Sequence, residues 1–109
     1  MNAKVVYSRD IAPIDLGAGA SRKVLAYNDD MMIVEVHFEA GASAAVHTHP
    51  HVQSTYIREG RFQFTIEGET VEVASGDTLA FPSNVPHGLT CLETGTLLDI
   101  FTPMRKDFV

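Results

Sequence analysis

The sequence predicts an all-β fold, a small antiparallel β-barrel of the jelly-roll kind, on three observations. Apolar and polar residues alternate with a period of two in several short runs; clusters of Gly, Asn, Asp and Pro separate those runs; and helical periodicity of about 3.6 residues is hard to find in any stretch. The runs amount to about eight to ten short strands, enough to enclose one core. A chain of 109 residues has no room for a second, so residues 1–109 are read as a single domain.

In chain order, Val5, Val6 and Tyr7 open a weakly patterned segment that reads as a strand suited to pairing with a neighbouring subunit. Residues 24–27 are expected to form a hairpin through Asn28-Asp29-Asp30 with the next run, in which Met32, Val34, Val36 and Phe38 alternate with Ile33, Glu35, His37 and Glu39. Phe62, Phe64 and Ile66 alternate with Arg61, Gln63 and Thr65, and Glu67-Gly68-Glu69 turns the chain into Val71 and Val73 as a second hairpin. Ser75-Gly76-Asp77 ends that strand, residues 78–81 start another, and the turn-rich Pro82-Ser83-Asn84-Val85-Pro86 precedes a last run over residues 97–102.

With 45% apolar and 20% charged residues, the composition is that of a soluble globular protein. No apolar run approaches the roughly 20 residues of a membrane helix. Residues 1–10 lack the pattern of a secretory signal, so the expected location is the cytoplasm. Cys91 is the only cysteine, which leaves no internal disulfide and no zinc site built on a Cys-x-x-Cys pair. The net charge of −6 argues against nucleic acid as a partner. An anionic ligand would need local positive charge, from a bound metal and one or two well-placed arginines.

The segment from Gly41 to Gln53 concentrates three of the five histidines, at His47, His49 and His51. On an extended chain these and Gln53 share one parity, so their side chains converge on one side, with Pro50 interrupting the alternation. Imidazole is the commonest biological metal ligand, and His87, just after the turns around Pro86, is the natural donor from a distant strand. His51 reads as a rim residue, His37 as a solvated one beside Glu35 and Glu39, and Cys91 as a buried small hydrophobe. Phe62, Phe64 and Phe81 read as core with no special role.

On these residues the chain resembles the cupins, whose two motifs are Gly-x5-His-x-His-x3–4-Glu-x6-Gly and Gly-x5-Pro-x-Gly-x2-His-x3-Asn. Gly41, His47, His49, Gln53 and Gly60 match the first, and Gly76, Pro82 and His87 the second. Gln53 stands in place of Glu, Asn84 in place of Gly, and Cys91 in place of Asn. Asn84 tolerates positive φ, and the Gln53 carboxamide keeps an oxygen donor while removing a negative charge. A further resemblance, carried by residues 47–53, Gly76-Asp77, residues 84–88 and residues 98–108, is to the pectin-degradation cupins of the KdgF family. It implies one divalent transition metal ion, Zn, Ni, Mn, Fe or Cu, held by His47, His49, Gln53 and His87. It also implies ring opening of 4,5-unsaturated uronate monosaccharides, an acidic sugar substrate, to linear 5-keto-4-deoxyuronates. Asp99 and Arg105 would then be catalytic, Phe101 and Arg105 substrate contacts, with Asp99 as acid–base group and Arg105 as carboxylate clamp.

Two other readings stay open: a small metal-dependent dioxygenase using the same donors, and a sugar-binding barrel without turnover. A carboxylate clamp and an acid–base residue favour the uronate reading, whereas oxygen uptake would favour the dioxygenase. A homodimer is expected, because a chain this short gains core by pairing.

Overall fold

The computed structural model describes residues 2–109. Its strands are β1 (Ile14–Gly17), β2 (Ala20–Tyr27), β3 (Met32–Phe38), β4 (Ser43–His47), β5 (Val52–Ile66), β6 (Glu69–Ala74), β7 (Thr78–Phe81) and β8 (His87–Thr102), with short 3-10 turns at Ser8–Asp10 and Lys106–Phe108. All pairings are antiparallel, in the order β1-β2-β3-β8-β5-β6, with β4 branching onto β8 and β7 onto β5. Among the described residues no helix is long and apolar enough to cross a membrane.

Both expected hairpins form. Tyr27 pairs with Met32 across a turn in which Asn28 Oδ1 accepts the amides of Asp30 and Met31 at 2.9 and 3.1 Å. Ile66 pairs with Glu69 across Glu67-Gly68, both at positive φ, the backbone that matches the twist of a two-residue hairpin. On β3 the alternation is realised side by side, with Met32, Val34, Val36 and Phe38 buried and the residues between them only partly so.

Two strands are longer than the alternation suggested. Residues 62–66 and 97–102, expected as separate strands, are the far halves of β5 and β8, which pair along nearly their whole length. Irregular register around Glu59 and Arg61 bends β5 and switches its buried parity from Gln53, Thr55 and Ile57 to Phe62 and Phe64. Gly60 sits at this bend with φ +89°, and a Cβ there would stand 2.6 Å from Gly95 Cα and 2.7 Å from the Glu93 carbonyl. Only glycine permits both the left-handed backbone and that approach of β8. Besides each other, the long strands each serve two partners, β5 pairing with β7 near Gln53 and with β6 beyond Gly60, and β8 pairing with β4 and with β3.

Residues 4–7 do not join the sheet: Val5, Val6 and Tyr7 lie exposed, outside any strand. The strand expected there was one that pairs with a neighbouring subunit, and within the single chain β1 is left as the free edge beside β2. The core gathers Met32, Val34, Phe38, Ile57, Phe62, Phe64, Phe81 and Leu97, with Phe38 and Phe62 meeting edge to face at 5.8 Å.

Candidate metal centre

The two histidine segments meet because β4 and β8 are neighbours, with His47 and His87 paired directly across the ladder. His49 follows on the loop into β5, and Gln53 enters on β5 between Phe81 of β7 and Phe101 of β8. One ring nitrogen from each of His47, His49 and His87 lies within 4.8 Å of the others. His49 and His87 are buried, while His47 is exposed and leaves the cluster open to solvent.

Hydrogen bonding fixes which nitrogen each ring presents. The Nδ1 atoms of His47, His49 and His87 face the backbone carbonyls of Ala45, His51 and Val85 at 2.9, 3.0 and 2.8 Å. A carbonyl only accepts, so each Nδ1 carries a proton, and a ring in its neutral form offers a bare Nε2. Burial is the leading cause pushing the pKa of His49 and of His87 down, which favours the neutral ring. His87 Nε2 is buried with no hydrogen-bond partner. His49 Nε2 faces Gln53 Oε1 at 2.9 Å. That oxygen is identified by its partner atom, since Gln53 Nε2 donates to Thr55 Oγ1 and to Asp99 Oδ1, both at 3.0 Å.

The centre is thus a set of lone pairs aimed at one another without a hydrogen between them, an arrangement a cation satisfies. Three imidazole nitrogens and a carboxamide oxygen suit a first-row divalent ion, and the residues present fit one. Phe81, expected as plain core, has a second task, because its ring stacks on His87 at 4.4 Å and fixes that imidazole's plane. Asn84 adopts φ 63° in the turn before His87, as its side chain tolerates. His51 stands outside the three-ring group, though its carbonyl orients His49. His37 is hydrogen-bonded to Thr96 Oγ1 at 3.0 Å and to Glu39 at 3.2 Å, and its side chain stays 40% exposed to solvent.

Beside the cluster lies a cavity of about 420 Å³, lined among others by His47, Gln53, His87, Asp99, Phe101 and Arg105. Its volume suits a monosaccharide-sized ligand. Asp99 pairs in register with Thr55, whose hydroxyl donates to Asp99 Oδ1 at 2.6 Å. Burial pushes the Asp99 carboxyl up to about 6, against the pull of the Thr55 and Gln53 hydrogen bonds and of the His47 and Arg105 charges. Gln53 therefore joins the two halves of the site, its oxygen toward the imidazoles and its amide on Asp99.

Arg105 lies largely covered at the cavity wall, with its Nε and Nη2 donating to Asp107 at 3.1 and 2.8 Å. The Arg105 guanidinium holds the Asp107 carboxyl below its usual range. The same guanidinium covers the rings of Phe108 and Phe101 at 4.3 and 5.0 Å, and Phe101 meets His49 edge to face at 5.6 Å. His47, Gln53, His87, Asp99, Phe101 and Arg105 line this cavity, and His49 adjoins it through Gln53. Two residues of the site were missed from sequence. Thr55 shares the parity of Gln53, but its task depends on facing Asp99 across the ladder. Arg22 sits on β2 between Ala20 and Val24, which pack against the core, and lines the cavity.

Fold and donor set together define a small jelly-roll protein with a group of three histidines suited to holding a cation. Residues 34–101 match the Cupin domain family. The chain is 41% identical over 97 residues to the pectin degradation protein KdgF of Dickeya dadantii, covering 87% of this chain and 88% of that protein. The structure of KdgF from a Halomonas species superposes with a TM-score of 0.94 at 31% identity, over 99% of this chain and 100% of that one. An RmlC-like cupin from Shewanella frigidimarina gives 0.92 at 35% identity, over 96% and 95%. The chain belongs to the cupin family, in its KdgF branch.

Proposed function

We propose that the protein is a metal-dependent enzyme that opens 4,5-unsaturated uronate monosaccharides to linear 5-keto-4-deoxyuronates during pectin or alginate breakdown. The observation that carries this reading is the coupling, through Gln53, of a lone-pair cluster to a carboxyl group with a pKa of about 6 in one sugar-sized cavity. The name of the Dickeya relative, a pectin degradation protein, supports it.

His47, His49, Gln53 and His87 would hold the ion. When bound, it supplies positive charge against which negative charge on a substrate oxygen is stabilised. Ring opening takes the proton of the anomeric hydroxyl, breaks the bond from the anomeric carbon to the ring oxygen, and returns a proton to C4 of the resulting enol. Asp99 is assigned both transfers, since a group with a pKa near 6 exchanges protons readily at neutral pH. Arg105, held flat by Asp107 and Phe101, presents its free edge to the substrate carboxylate, and Phe101 forms the wall against which the sugar lies.

Incubation of metal-loaded protein with unsaturated galacturonate should remove the conjugated double-bond absorbance faster than the spontaneous reaction does. A rate equal to that background would sink the enzymatic reading, and oxygen consumption would turn it toward a dioxygenase. The protein is further proposed to act as a homodimer, with Val5, Tyr7 and the free edge strand β1, whose Ile14 and Leu16 are exposed, covered by the partner. Light scattering should give twice the chain mass at micromolar concentration; a monomer would contradict the pairing.

A further inference from the structure

Arg22 is the charged residue in the cavity that the reading above leaves without a task. On β2 it pairs with Val36 of β3 and is flanked on its own face by Ala20 and Val24, which pack against the core. Its guanidinium lies over the Phe108 ring at 3.9 Å, the same ring that Arg105 covers at 4.3 Å, so the C-terminal 3-10 turn brings both cations to one wall.

The two arginines differ in what neutralises them. Arg105 gives two nitrogens to Asp107, whereas Arg22 forms no ion pair among the described residues and its Nε is buried without a hydrogen-bond partner. Burial and the nearby Arg105 charge work against the Arg22 cation, with Asp107 opposing them. A buried donor of this kind lacks the partner that a folded protein ordinarily supplies. It lines a cavity whose other polar residues are Ser43, His47, Gln53, His87, Asp99 and Arg105.

We infer that Arg22 is a substrate-binding residue that shares the sugar carboxylate with Arg105 and makes the site selective for sugar acids over neutral sugars. This rests on the uronate reading for its ligand class. Asp107 occupies much of Arg105, so Arg22 brings the unspent donors, and its planar fork suits a carboxylate. The total charge of −6 makes such a local pair of cations the means of drawing an anion in.

The test is an NMR titration of metal-loaded protein with galacturonate and with its methyl ester, which keeps the shape and removes the charge. Wild type should prefer the acid by about 10–100-fold, the worth of hydrogen bonds to a charged group. Arg22→Gln should lose most of that preference while its affinity for the ester stays the same. An unchanged preference in Arg22→Gln overturns the inference, as does wild type that shows none. Equal loss of acid and ester overturns it too, because that marks Arg22 as packing for Phe108. Should Arg22→Gln fail to fold, Arg22→Lys carries the test: charge remains but the fork is lost, so a several-fold fall is expected and full retention overturns. Wild type that prefers the acid through Arg22 yet opens no unsaturated uronate supports this inference while the enzymatic reading falls.

Discussion

Asp99→Asn is expected to lower kcat on unsaturated galacturonate by about 10²–10⁴-fold while the protein stays folded and metal-loaded. The amide still accepts hydrogen bonds from Thr55 and Gln53, so the hydrogen-bonded frame around position 99 survives. What disappears is the exchangeable proton. The same substitution should stabilise the metal-free protein. Folding raises the Asp99 pKa from 3.8 to about 6, so the native state binds its proton more tightly than the unfolded chain does. The contribution to stability is full below the unfolded value and is lost as pH rises through about 6, leaving a buried carboxylate that costs about 2–3 kcal/mol at neutral pH. Asparagine carries no such cost. The stability difference between variant and wild type should therefore be near zero below about pH 4 and fully developed above about pH 6. Denaturant melts across that range measure it, and the lowered pKa values of His49 and His87, which make stability rise with pH in both proteins, cancel in the difference. Full kcat in Asp99→Asn would remove the residue from its assigned role, and a flat difference across pH would deny the raised pKa.

The two strong hairpins and the buried face of β3 were legible because alternation and turn residues are local signals. The continuity of β5 was not, since the change of buried parity at Gly60 looks in sequence like the end of one strand and the start of another. The clustering of His47, His49 and Gln53 was read from shared parity on one extended chain, whereas a loop at residues 48–51 divides β4 from β5, and it is the pairing of both strands with β8 that brings these residues and His87 together. Thr55 and Phe81 could not be assigned their contacts, which require the register of β5 against β8 and the packing of β7 beneath His87. Arg22 was hidden for a related reason: an arginine on a strand is usually a surface residue, and only the packing of the C-terminal turn shows where its head goes.

Removing a ligand is the other change with a large expected effect. His87→Ala should lower affinity for the divalent ion by more than the roughly 10–100-fold that changes to outer-shell partners cost. Among the described residues His87 is the imidazole whose Nε2 is buried with no hydrogen-bond partner, so its lone pair is free for an ion. The desolvated nitrogen contributes nothing favourable to the metal-free fold, and the substitution should leave the metal-free Tm changed mainly by lost packing against Phe81. Adding the ion separates the two effects. Wild type should gain stability in proportion to RT ln(1 + [ion]/Kd), and the variant should show a much smaller rise at the same ion concentration. Metal content after gel filtration, measured by elemental analysis, and the metal-induced shift in Tm should fall together. Acid acts by the same route, since protonation of Nε2 competes with the ion, so wild type should shed metal as pH falls through the range in which the imidazoles titrate. A His87→Ala protein that retained stoichiometric metal and the full Tm shift would show that the ion sits elsewhere, and the cluster would then be three imidazoles in search of a different cation.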